Sequence, residues 1–207
     1  YIKLLESSRD EWQKIAQKAI AKLKAQEKTY KTLAEIPYSF DFTNQMVNNS
    51  GLIFAVSAGF APIDLTAFGY PATGLPASGK LALQFEVYLD GTSALSDAFE
   101  NGAVNGSFEM TSSGTCDQEE RNRVFNQVPW TKGVWSLCQM DLSTFTGTTG
   151  GTFDPTAFDY VRIYINGLSA YVGQTATVKL RNMRLVDLTQ EETYVCTHET
   201  LTYPDKQ

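Results

Sequence analysis

The apolar positions change their period near residue 38. Before it, Trp12, Ala16, Ala19, Leu23, Gln26, Tyr30 and Leu33 recur at alternating spacings of four and three, which predicts a helix over residues 7–35 with a single seam. Ser8 or Asp10 suits its N-cap, Ala, Lys, Gln and Leu fill its interior, and Pro37 ends the segment. The seam either packs on a neighbouring body or self-associates as a coiled coil of about four heptads. Beyond residue 38 the period is two. Leu81, Leu83, Phe85, Val87 and Leu89 face one way, and Ala82, Gln84, Glu86 and Tyr88 the other. Val161, Ile163 and Ile165 likewise oppose Tyr160, Arg162 and Tyr164, and Phe108 and Met110 oppose Glu109. Tyr38–Phe42, Leu52–Ser57 and Val134–Leu142 read as further strands. Trp135 is expected in the core, because its strand is apolar on both parities, as in a strand covered on both faces. The last long strand, Ala176–Val186, points Val178 and Leu180 inward and then Met183 and Leu185; the slip at Arg181-Asn182 predicts a β-bulge. Residues 58–79, 92–106 and the acidic stretch 114–132 read as loops. Seven to nine strands with no helix between them predict an antiparallel sandwich or barrel, taken as a β-sandwich over residues 38–189. Residues 1–37 are then a helical linker or docking segment, and residues 190–207 a C-terminal tail or linker.

Composition agrees with a mainly β chain. Its 207 residues are 43% hydrophobic and 12% aromatic, and only 19% charged, which allows one sizeable core rich in strand formers. The net charge of -6 is uneven. Residues 1–36 hold 8 Lys/Arg against 5 Asp/Glu, a local +3; the other 171 residues hold 9 against 18, a local -9. An acidic main body argues against a nucleic-acid partner, whose phosphates it would repel. No apolar run has the length of a membrane span. No signal peptide is present and Tyr1 is not a natural start, so the chain is expected to be a piece of a longer polypeptide. Cys116, Cys138 and Cys196 are too few for a disulfide scaffold; either Cys116 and Cys138 pair, or all three are ordinary thiols.

Catalytic patterns are scarce. His198 is the only histidine, no G-x-S-x-G nucleophile elbow occurs, and no Cys/His cluster has zinc spacing. Asp117, Glu119, Glu120, Asp154 and Asp159 are candidate carboxylates for a glycosidase, though acids in loops are usually solvated. The Asp117–Glu120 run also offers oxygen ligands for calcium but lacks the EF-hand pattern. The outward residues of two strands carry a different chemistry. A pyranose ring stacks its C–H face on an aromatic ring, and its hydroxyls take planar polar partners. Tyr88 and Glu86 on one strand, with Tyr164 and Arg162 on the other, form one such patch if the strands share a sheet.

Several stretches resemble a known family. Thr111–Glu120 is similar to a recurrent TSSG-x-x-D-x-x-E stretch; Val134-Trp135-Ser136 before Met140–Ser143 resembles the strand that follows it. Thr149-Gly150-Gly151 with Asp154, then Phe158–Tyr164, resembles a TGG…D…F-R-I-Y run, and Val178–Leu185 the closing strand. Together they resemble the jelly-roll, galactose-binding-like modules of secreted or cell-surface bacterial glycan-degrading enzymes. The resemblance covers roughly residues 38–188. It implies a non-catalytic carbohydrate-binding accessory module, with an oligo- or polysaccharide and neighbouring domains of the same polypeptide as partners. The alternatives are a structural spacer or interaction module and, third, a small glycosidase or lyase. In such modules the closing strand often carries an Asp that helps hold a structural calcium; here Arg181 stands there, which leaves Asp41 and Asp187 as the possible calcium ligands.

Overall fold

The computed structural model describes residues 30–46, 54–124 and 128–191. The chain divides into two units, one of them Thr32–Thr189; the other, Tyr1–Lys31 with Gln190–Gln207, lies almost wholly outside the described residues. Of the helix expected over residues 7–35, residues 7–29 therefore fall outside them, as do residues 192–207 of the expected tail, with Cys196 and His198.

Among the described residues ten strands form two sheets whose named pairings are antiparallel. The first sheet holds β1 (Tyr30–Glu35), β10 (Thr175–Glu191), β4 (Leu81–Asp90) and β7 (Trp135–Asp141) in that order, and β2 (Phe40–Met46) also pairs with β10. The second runs β3 (Phe54–Ile63), β9 (Phe158–Asn166), β5 (Asn105–Thr111), β6 (Glu120–Val124) and β8 (Gly147–Thr149). The period-two reading holds where both parities were clear. Leu83, Phe85, Val87, Phe108, Met110, Val161, Ile163 and Ile165 are all buried. Phe85 of the first sheet stacks on Phe108 of the second with centroids 5.3 Å apart, and Phe145 meets Phe108 edge-on at 6.0 Å.

The bulge in β10 is present. The register with β4 shifts between Arg181 and Arg184, and Asn182 adopts a left-handed backbone with φ 54. Asn is one of the few non-glycine residues that tolerates this conformation. The bulge puts Arg181 and Asn182 outside together and returns Met183 and Leu185 to the core.

Four expectations need correction. Tyr30–Glu35, assigned to the end of the helix, is strand β1, which covers an edge of β10 and packs Leu33 and Ala34 against the core. A short helix, α1 (Ala94–Glu100), stands between β4 and β5, with Ser93 as N-cap and Leu95, Ala98 and Phe99 buried. The acidic stretch is not all loop, since it contains β6, whose Glu120 is buried by partners rather than by apolarity. Finally, Trp135 is only half-buried and Leu137 beside it is 40% exposed, so β7 has one open face.

Candidate functional site

The outer face of the first sheet is built in rows by strand register. Lys179, Tyr88 and Trp135 stand opposite one another on β10, β4 and β7; the next row is Arg181, Glu86 and Leu137, and beyond it Arg184, Gln84 and Gln139. The Tyr88 and Trp135 rings lie 5.4 Å apart at 40°. The Arg181 guanidinium lies on the indole, its carbon 3.7 Å from the ring centroid. Glu86 Oε2 fixes it there, accepting from Arg181 Nε at 2.6 Å and from Asn182 Nδ2 at 2.9 Å. Bulge, cation–π contact and ion pair thus converge on one ordered plane. Asp41 is paired with Lys179 at 2.9 Å, and the Arg184 guanidinium donates twice to Gln84 Oε1, while Gln84 Nε2 donates to Gln139 Oε1 at 2.8 Å.

Arg162 and Tyr164 are elsewhere. They sit on β9 in the second sheet, so the four sequence-predicted sugar contacts occupy two faces of the sandwich rather than one patch. Arg162 is only 8% exposed. Its Nε bonds Glu109, its Nη2 bonds Asp117 Oδ1 at 2.7 Å, and Glu120 Oε2 lies 4.0 Å away. Its carbon is 5.2 Å from the centre of the Tyr164 ring. Burial raises the Glu109 carboxyl above its ordinary range, even though Arg162 and Ser107 donate to it. Candidate oxygens of Glu109, Asp117 and Glu120 lie within 4.8 Å of one another, the spacing of a metal cluster. The Arg162 guanidinium already bonds two of the three and repels a cation there.

The acids read as glycosidase candidates have local duties. Asp154 caps Thr156, Asp159 accepts from Gly114 N at 3.0 Å, Ser112 bonds Glu119 at 3.0 Å, and Asn122 bonds Glu120 at 2.7 Å. Asp41 and Asp187, the pair considered for calcium, are not brought together: Asp41 faces Lys179 and Asp187 stands eight residues further along β10, roughly 27 Å away along the strand. Cys116 and Cys138 are both free thiols, and burial pushes the Cys138 thiol up to about 12. Of the aromatic loop residues, Tyr70 and Trp130 are buried, while Phe68 lines a cleft of about 460 Å³ with Pro71, Leu75 and Lys80.

Sequence reasoning missed Trp135 and Arg181 as partners. The signal was present: Trp135 shares the parity of Leu137 and Gln139, opposite to Cys138 and Met140, and Arg181 alternates outward from Val178 and Leu180, with the bulge keeping Asn182 beside it. Fold and faces together define a β-sandwich module carrying an ordered aromatic and guanidinium plane on one sheet. No family model matches the chain, and no curated protein matches it. Among solved structures it is similar to a family 30 carbohydrate-binding module, at 11% identity and TM-score 0.44 over 80% of this chain and 75% of that one. It is also similar to the family 30 module of a cellulosomal cellulase of Clostridium thermocellum, at 12% identity and TM-score 0.43 over 76% and 82%. An exo-β-agarase is similar at 11% identity and TM-score 0.38, over 81% of this chain and 25% of that one. Among the described residues no helix is long and apolar enough to cross a membrane.

Proposed function

We propose that the sandwich is a non-catalytic carbohydrate-binding module of a larger secreted or cell-surface glycan-degrading protein, holding an oligo- or polysaccharide on the outer face of the first sheet. The observation that carries this reading is the half-exposed Trp135–Tyr88 pair with Arg181 clamped over the indole by Glu86. A sugar ring gains by laying its C–H face on such a surface, and its hydroxyls find donors on Arg181 and Asn182 and acceptors on Glu86. The groups are ordered before the ligand arrives, so little side-chain entropy remains to be lost on binding. A non-catalytic role is supported by the buried acids of the second sheet, which are held by Arg162 and Asn122 instead of flanking an open cleft as a glycosidase pair does. The sequence resemblance points the same way. Tyr88 and Glu86 remain in the site, and Trp135, Arg181 and Asn182 join them.

A glycan array followed by titration calorimetry tests the reading. Trp135→Ala should weaken binding at least tenfold, about 1.4 kcal/mol, while the melt changes little because the ring is half in solvent. Unchanged binding moves the site off this face. A wild-type chain that binds no plant, algal or host polysaccharide removes the reading altogether.

A further inference from the structure

The second sheet repeats the construction of the first with other residues. On the first, Trp135 carries Arg181, which Glu86 of the neighbouring strand fixes. On the second, Tyr164 carries Arg162, which Glu109 of the neighbouring strand fixes. Four residues before Tyr164 on the same strand stands Tyr160, half-exposed and on the same face, roughly 13 Å away along the strand. The residues paired alongside are small. Ser57 lies opposite Arg162 and Gly59 opposite Tyr160, both exposed, and Ser107 lies opposite Tyr164 on the other side. A Cβ placed on Gly59 would touch the Tyr160 ring at 3.6 Å, so the glycine leaves that ring uncovered. The result is a strip of β9 with a half-exposed tyrosine at each end, the buried Arg162 between them and small residues along its β3 side.

We infer that this strip is a second glycan site, so that one module holds two polysaccharide segments on opposite faces. The inference rests on the carbohydrate-binding reading above and goes beyond it in valency. The charge on this face selects the occupant. Glu109, Asp117 and Glu120 outnumber Arg162 three to one, and Asp117 is the one of them that stands in solvent. Such a face offers acceptors and repels anions, so its ligand supplies hydroxyl donors and no acidic groups. That is an uncharged polysaccharide, not a uronate or a sulfated chain.

Affinity gel electrophoresis of the full chain tests this, in gels cast with a mixed-linkage β-glucan, xyloglucan or β-galactan as neutral probes and polygalacturonate as the anionic one. Two sites on one chain multiply retention, by roughly 10²-fold where a long polymer reaches both. Trp135→Ala should keep weak retardation in the neutral gel that holds the wild type, and so should Tyr160→Ala/Tyr164→Ala; all three changes together should abolish it. Tyr164→Phe keeps the ring and should be held like the wild type, which separates lost stacking from misfolding. Retardation that Trp135→Ala removes completely, with Tyr160→Ala/Tyr164→Ala unaffected, overturns the second site and leaves the first standing. Retention in polygalacturonate exceeding that in the neutral gels overturns the charge argument. A wild type retarded in none of the gels defeats both the second site and the reading it rests on.

Discussion

Replacing Arg162 by Met should cost this protein several kcal/mol, and the structure says where the loss comes from. The guanidinium is 8% exposed and stands among Glu109 at 4%, Glu120 at 1% and the more solvated Asp117. The Asp117 contact adds little, since that side chain is 62% exposed and surface ion pairs are worth at most about 1 kcal/mol. The large effect comes from Glu109 and Glu120, which lose the Arg162 cation while still buried. Breaking a buried pair from one side costs about 3–5 kcal/mol. In a domain of this size that lowers Tm by roughly 6–20 °C. The loss should also depend on pH in a stated direction. Burial holds Glu109 above its ordinary range in the intact protein, and without Arg162 it moves higher still. A carboxyl with a raised folded pKa favours the folded state while protonated and loses that contribution as pH rises above the unfolded value of about 4.5. Arg162→Met should therefore be closer to wild type at pH 5 than at pH 8, and Glu109→Gln/Arg162→Met should recover part of the loss at pH 8. Scanning calorimetry at the two pH values reads all of this. An Arg162→Met protein melting within about 2 °C of wild type at pH 8 would refute the buried-network account.

Phe108→Ala removes a ring stacked between the sheets and should cost about 3–5 kcal/mol, read as a lower denaturant midpoint at unchanged slope; a loss under about 1 kcal/mol contradicts its central place in the core. At Asn182, Gly keeps the left-handed bulge and should leave the midpoint nearly unchanged, whereas Val should cost about 1–2 kcal/mol, so equal stability of the two variants would show that φ 54 is not retained. Asp141 is partly buried, which alone raises its carboxyl, yet bonds from Gly79, Ser143 and Ser78 hold it below 3.8. Its contribution is present above that value and lost as pH falls through the lowered one, so Asp141→Asn should flatten the acid limb of a stability–pH curve, and an unaltered limb counts against the cap.

What the sequence disclosed follows from the range of the interactions involved. The strand β4 is legible because Leu81 to Leu89 alternate without exception. The β10 bulge is legible because Met183 breaks the parity set by Val178 and Leu180. The strand β6 is hidden: Glu120-Arg121-Asn122-Arg123 has no apolar face, and its buried Glu120 depends on Asn122 and on Arg162 of a distant strand. The helix α1 left a faint trace in Leu95, Ala98 and Phe99 behind Ser93, but one turn of spacing is too short to outweigh the turn residues around it. The decisive unread fact was sheet membership. Period two says that Tyr88 and Tyr164 both leave the core, and says nothing about which of two sheets each leaves from. Trp135 misled for a related reason, since an apolar residue on the outer parity mimics burial even where its ring stands half in solvent.

The strand β10 sits between neighbours along its length, β4 on one edge, and β2 and then β1 on the other. Its amides are therefore locked from both sides by separate stretches of chain. For one of them to meet solvent deuterium, the strand it faces must leave: β4 on one edge, β2 or β1 on the other. Exchange of the β10 amides that face β4, itself held on its far edge by β7, then approaches the global unfolding limit, while β7 and β8, each bonded on one edge, exchange through local opening. The Arg181–Asn182 corner lies inside this strand, so the polar half of the Trp135–Tyr88–Arg181 plane stays fixed on timescales over which the margins of both sheets breathe.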